Sequence, residues 1–239
     1  MEDELTQHHI SQQFNKELRE LRNQVLNMGG LVEDQVTNAL IALINNDHDL
    51  AKQVYSNDYK INALEVAIDE ESTRILALRQ PTASDLRLVM AVIKTIPDME
   101  RIGDQAERIA HMALKMPPDA QGSHFIAIRH LGEHVKKMLH DTLDAFARID
   151  IETALKVMHE DQKVDQECDS ISRQLITYMM EDSRTIPIVL NTLWSARALE
   201  RIAAHSCNIC EYLIYFAKGK DVRHISMEQV EEQARTPRK

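Results

Sequence analysis

The sequence predicts an all-α fold: two tandem, similar three-helix bundles built from six long helices, with a short C-terminal tail. Three observations carry this. Glycine and proline number six each and aromatics 4% of 239 residues, leaving little material for sheets, whereas good helix formers abound. Apolar residues recur every three to four positions over long segments, the beat of a buried helical face. The chain also repeats itself: Asp47, Asp58 and Lys60 return as Asp150, Asp161 and Lys163 at one constant offset, and Ile61 meets Val164.

The first helix is expected from about 10 to 44, on the spacing of Phe14, Leu18, Leu21, Val25, Met28, Val32, Val36, Leu40 and Leu43. Gly29-Gly30 inside it costs roughly 1 kcal/mol per glycine against alanine. A close approach by a neighbouring helix would compensate. Asp47 is a natural N-cap for the second helix, where Val54, Ile61, Ile68 and Ile75 recur every seven residues. Arg79-Gln80-Pro81 ends it, and Thr82 with Asp85 makes a capping-box-like start for the third. Pro97 falls inside that third helix, where it removes a backbone hydrogen bond. Either a kink ahead of Glu100 or absorption by packing is expected. Pro117-Pro118 and Gln121-Gly122-Ser123 mark the linker.

The plan then repeats. A fourth helix runs from about 125 to 149, and Asp150 caps a fifth that ends near Glu181. The sixth opens around Pro187 and stops at Gly219. The resulting division is a bundle over 8–118, a second over 123–219 and a loosely held polar tail over 220–239.

A net charge of −10 argues against nucleic acid as a partner. No apolar run approaches the roughly 18 residues of a membrane span, and an acidic start without an apolar stretch behind it does not read as a signal peptide. A cytoplasmic location is expected. Three cysteines, Cys168, Cys207 and Cys210, are too few and too odd for a disulfide framework, and Cys207-x-x-Cys210 on a helix reads as buried, inert thiols.

Chemistry is concentrated in two acidic stripes. At about 100° per residue, Glu100, Asp104, Glu107 and His111 fall within roughly 60° on the third helix. Asp58, Asn62, Glu65 and Asp69 do the same on the second, beside its apolar seam. Clustered carboxylates repel unless a cation neutralises them, and oxygen-only groups suit hard cations such as Mg²⁺ or Mn²⁺, and also iron. The bland alternative is a solvated face, with Arg101 and Arg108 pairing locally with Asp104. The second half offers Asp161, Asp165 and Asp169 opposite Glu200 and Glu211, but Ala204 and Cys207 stand where acids are expected. Its affinity for a hard cation should be weaker or absent. A ferritin-like di-iron bundle would need Glu-x-x-His twice, and none of the eleven histidines has a glutamate three residues before it.

The order of Met28-Gly29-Gly30-Leu31-Val32-Glu33, Arg79-Gln80-Pro81-Thr82-Ala83-Ser84-Asp85-Leu86-Arg87 and Glu100-Arg101-Ile102-Gly103-Asp104 closely resembles the PhoU family. Tyr178-Met179-Met180-Glu181-Asp182 and Glu200-Arg201-Ile202 continue the likeness, which covers about 8–220. The resemblance implies two similar three-helix bundles and a non-enzymatic negative regulator of the phosphate-starvation response and of phosphate uptake. It implies an adaptor between the phosphate transporter ATPase subunit and the sensor histidine kinase of the phosphate regulon, often a homodimer, reaching the membrane periphery only through its partners. It further implies a divalent metal (Mg, Mn or Fe) at paired Glu/Asp-x-x-x-Asp motifs, with no organic cofactor. Glu65 with Asp69 and Glu100 with Asp104 carry those motifs in the first bundle. Asp165 with Asp169 and the lone Glu200 are their weaker counterparts in the second, where Ala203 and Ala204 depart from the pattern. The alternative is a helical carboxylate-type metalloenzyme or metal-binding protein.

Overall fold

The computed structural model describes the backbone of residues 2–117 and 124–236 and the side chains of 12–117 and 126–236. Apart from Pro117, the expected linker therefore lies outside the described residues. Within them stand eight α-helices and no strand: α1 (Glu2–Asn45), α2 (His48–Asn57), α3 (Tyr59–Arg79), α4 (Ala83–Leu114), α5 (His124–Arg148), α6 (Ile151–Glu181), α7 (Ile186–Lys218) and α8 (Met227–Arg235). Helices α1 to α4 pack as one bundle and α5 to α7 as the other. Two expectations are refined at once. The second helix is interrupted at Asp58, whose backbone stays helical (φ −55°, ψ −37°), while α6 passes the equivalent Asp161 unbroken. Thr82 precedes α4 without a side-chain cap, so the capping box does not form there.

The repeat is visible in local chemistry. Asp47 and Asp150 both sit in extended backbone and accept from amides of the first turn they open, Asp47 from Asp49 and Leu50 and Asp150 from Thr153. Immediately before them, Asn46 and Ile149 both take positive φ, 54° and 59°. That left-handed region suits asparagine and strains a β-branched isoleucine.

Glycine brings the bundles together. A Cβ on Gly29 of α1 would lie 2.8 Å from Leu143 Cδ2 of α5, and a Cβ on Gly132 of α5 would lie 2.8 Å from Leu40 Cδ2 of α1. The two contacts are related by the same residue offset that relates Asp47 to Asp150, so each bundle lends the other one glycine notch and one leucine. The buried apolar side chains accordingly form one continuous core across both bundles, from Leu18 to Leu213. Helices α4 and α7 lie side by side through the middle of the molecule. Between them the buried Asp98 Oδ1 accepts from His205 Nδ1 at 2.6 Å and from Asn208 Nδ2 at 2.9 Å. Pro97 precedes that aspartate inside an α4 that runs unbroken past it.

The polar tail is the clearest departure from expectation. Ser226 and Gln229 form a reciprocal capping box, and α8 follows. Val222, Val230 and Ala234 are buried in a second small cluster with Leu155 and Ile214, so this segment is docked onto α6 and α7. No helix among the described residues is long and apolar enough to cross a membrane.

Candidate metal centre

Helices α3 and α4 run antiparallel, and the small residue that lets them approach is Gly103. A Cβ there would lie 2.9 Å from Ile61 Cδ1 and 3.5 Å from Asp58 Oδ1. That contact fixes which acids face one another. One carboxylate oxygen each from Asp58, Asp104 and Glu107 lie within 4.8 Å of one another, the only such trio of potential ligands among the described residues. Asp58 is 8% exposed. Its Oδ2 accepts from Asn62 Nδ2 at 2.9 Å, while its Oδ1 is buried with no hydrogen-bond partner. An orphaned carboxylate oxygen facing two further acids is costly unless something positive meets it.

The electrostatics agree. Burial pushes the Asp58 carboxyl up, and Asp104 adds to this against the opposing Asn62 hydrogen bond. Glu107 is raised by burial, then by Asp58 and Asp104. Glu100 is raised by burial and by Asp104, and Glu65 by burial with Asp69 and Asp104, Arg101 opposing in both. Arg101 is the cation that pairs with the cluster: it donates to Asp104 at 3.2 Å and lies 3.5 Å from Glu100. It is mostly exposed, so solvent screens much of its effect. The donors are all hard oxygens, a set that fits Mg²⁺, Mn²⁺ or iron.

Of the four first-bundle acids singled out by sequence, Asp104 is in the trio, and Glu65 and Glu100 flank it. Asp69 is exposed and outside. The register explains this. Because the helices are antiparallel, each step along α3 away from Asp58 is a step back along α4. Asp69 lies roughly 16 Å beyond Asp58 along the helix and overshoots Glu100. Asp58 and Glu107 belong to the stripes but not to the paired motifs, and only the α3–α4 register promotes them. Beside the trio, His111 lies 6.1 Å from the Tyr55 ring, and both line a shallow groove with Asp104, Gln105, Glu107 and Arg108.

The second bundle is wired differently. Arg197 donates to Glu200 at 2.7 Å and reaches Asp169 at 3.6 Å. Burial raises Asp165, with Glu200 and Asp169 adding to it and Arg197 opposing. Asp161 Oδ1 is buried without a partner. The Cys168 thiol donates to Glu200 at 3.4 Å. Burial pushes Cys168 up to about 12 and Cys207 far above the thiol range, with carboxylates adding to both. All three cysteines are free, Cys168 and Cys210 buried and Cys207 partly so. Asp165, Asp169 and Glu200 thus gather around a built-in guanidinium. The position equivalent to Arg197, three residues before the Glu-Arg-Ile phrase, holds Pro97 in the first bundle.

Comparison with known proteins shows what the chain as a whole is similar to. A family model described as the PhoU domain matches residues 25–113 and again 128–213. The phosphate-specific transport system accessory protein PhoU of Serratia marcescens is 54% identical over 223 residues, covering 93% of this chain and 92% of the relative. The crystal structure of PhoU from Pseudomonas aeruginosa superposes with a TM-score of 0.84 at 48% identity, covering 87% of this chain and 100% of that one. The phosphate transport system regulatory protein PhoU from Streptococcus pneumoniae gives 0.81 at 32% identity, over 87% and 99%.

Proposed function

The chain belongs to the PhoU family, and on that premise we propose that it is a cytoplasmic accessory protein of a phosphate-specific transport system. In this reading it acts without catalysis. It restrains phosphate uptake and holds off the phosphate-starvation response when phosphate is plentiful, as an adaptor between the transporter ATPase subunit and the sensor histidine kinase. The observation that supports the reading is the identity above one half along nearly the whole of a relative named as a phosphate-specific transport system accessory protein. Deleting the gene should raise phosphate-regulated expression in phosphate-rich medium; repression that persists in the deletion strain would sink it.

The first bundle is the proposed metal centre. Asp58, Asp104 and Glu107 would supply the inner oxygens, with Glu65 and Glu100 at the margin. The bound cation would neutralise a cluster in which burial and mutual repulsion raise the Asp58 and Glu107 carboxyls. It would thereby fix the α3–α4 register beside the groove lined by Tyr55 and His111. Mn²⁺ titration should show binding that Glu100→Ala with Asp104→Ala largely removes, and Asp58→Asn likewise. Undiminished binding in both variants would refute the assignment.

A further inference from the structure

The chain has a single tryptophan, and it is half exposed. Trp194 stands on α7 beside the similarly exposed Leu190. Both line a cavity of about 390 Å³ that α4 closes from the other side with Arg108, Met112 and Lys115. A large apolar side chain left in water at a concave site is unusual for a surface whose only duty is solubility. No carboxylate lines this cavity, in a chain with net charge −10. The Arg108 guanidinium lies 5.8 Å from the Trp194 ring centroid, and neither Arg108 nor Lys115 has an ion-pair partner among the described residues. Arg108 also walls the adjoining groove at the acid trio.

We propose that this α4–α7 groove is a docking site for an acidic, apolar-tipped segment of a partner protein. An aliphatic or aromatic side chain of the segment would fill the space between Trp194 and Met112, and its carboxylates would pair with Lys115 and Arg108. Two features favour this occupant. In a two-fold contact between copies of this chain through the same patch, the Arg108 and Lys115 of one copy would face the same pair of cations on the other, which is repulsive. A membrane presents a flat anionic surface, matched neither to a concave pocket nor to a net charge of −10. Tryptophan and arginine are, moreover, among the side chains enriched at the energetic hot spots of protein interfaces.

The proposal rests on the accessory reading, and its test separates the two. A photo-crosslinking benzoylphenylalanine at Leu190 is introduced in cells grown in plentiful phosphate, and the adduct is mapped by mass spectrometry. The expected adduct is a segment of another protein with carboxylates flanking an apolar residue. Its yield should fall at least tenfold in Trp194→Ala with Lys115→Glu, two surface changes whose folding is checked by circular dichroism. The same crosslinker at the exposed Tyr59 serves as the control position. An adduct to a second copy of this chain, to lipid or to a basic segment, a yield unmoved by the double change, or no adduct above the control, would each overturn the groove assignment. Deletion of the gene reports separately. If the deletion relieves repression but Trp194→Ala with Lys115→Glu represses fully, the groove is wrong and the accessory role stands. If the deletion itself changes nothing, the accessory reading has failed on its own.

Discussion

Gly103 does at one position what the acid cluster needs done. With only a hydrogen on its α-carbon, α4 can approach Ile61 and bring Asp104 and Glu107 up to Asp58. The second bundle solves the same packing problem with Ala203 and, at the place of Ile61, Val164, which lacks the δ-methyl that an alanine at 103 would strike. Both second-bundle residues are fully buried. Gly103→Ala sets about 1 kcal/mol of helix propensity gained against roughly 1–3 kcal/mol of overpacking. Ile61→Val alone forfeits about 0.5–1.5 kcal/mol. Combined, they recreate the second-bundle pair, so the double variant should exceed the sum of the singles by about 1 kcal/mol. Urea midpoints of the four proteins measure this, and additivity within about 0.3 kcal/mol would show the packing account to be wrong.

Among the elements, the long helices, the Asp47 and Asp150 caps and the Gly219 stop are legible in the sequence because each depends on neighbours in the chain. The glycine cost at Gly29 also announced a close helix, though not that it is α5. Two features were not legible in the same way. Membership of the acid trio depends on the register between α3 and α4, which no single helix encodes. The segment that carries helix α8 has only scattered apolar residues, Val222, Ile225, Met227, Val230 and Ala234, in a polar stretch, and periodicity is too faint over so few. Its one local signal was Ser226 with Gln229, a capping box in waiting. The docking has a measurable consequence. Removing residues 220–239 takes away Val222 and Val230 and uncovers Leu155 and Ile214. At about 1.5–3 kcal/mol for each fully buried aliphatic side chain, the truncation should cost several kcal/mol. A merely polar tail would cost nothing, and thermal or urea unfolding of the truncated protein tells the two apart.

For the molecule as a whole, two bundles that share one core place their counter-ions differently. In the second, Arg197 is a permanent counter-ion to Glu200 and Asp169. In the first, Pro97 occupies that place and, among the described residues, only the mostly exposed Arg101 reaches Asp104 and Glu100, while Asp58, Glu65, Glu100 and Glu107 are all raised from their ordinary values, chiefly by burial. The sign of the linkage follows. A carboxyl raised in the folded state binds its proton more tightly there than when unfolded. Without metal, stability therefore falls as pH rises from the ordinary carboxylate range through the raised values. A cation needs the deprotonated oxygens, so the stabilisation it adds grows across that same window. Mn²⁺ should raise the melting temperature at pH 7 and by much less at pH 4.5. Asp58→Asn should abolish that gain while making the metal-free protein more stable at pH 7, because it removes a buried, unneutralised charge. Arg197→Ala tests the other half of the asymmetry. With its guanidinium gone, Glu200 and Asp169 lose the counter-ion they share beside Asp165, and calorimetric titration with Mn²⁺ should acquire a second, weaker step absent from the parent protein. If the parent already shows two equal steps, or the variant shows no new one, the arginine is not what keeps the second bundle free of metal.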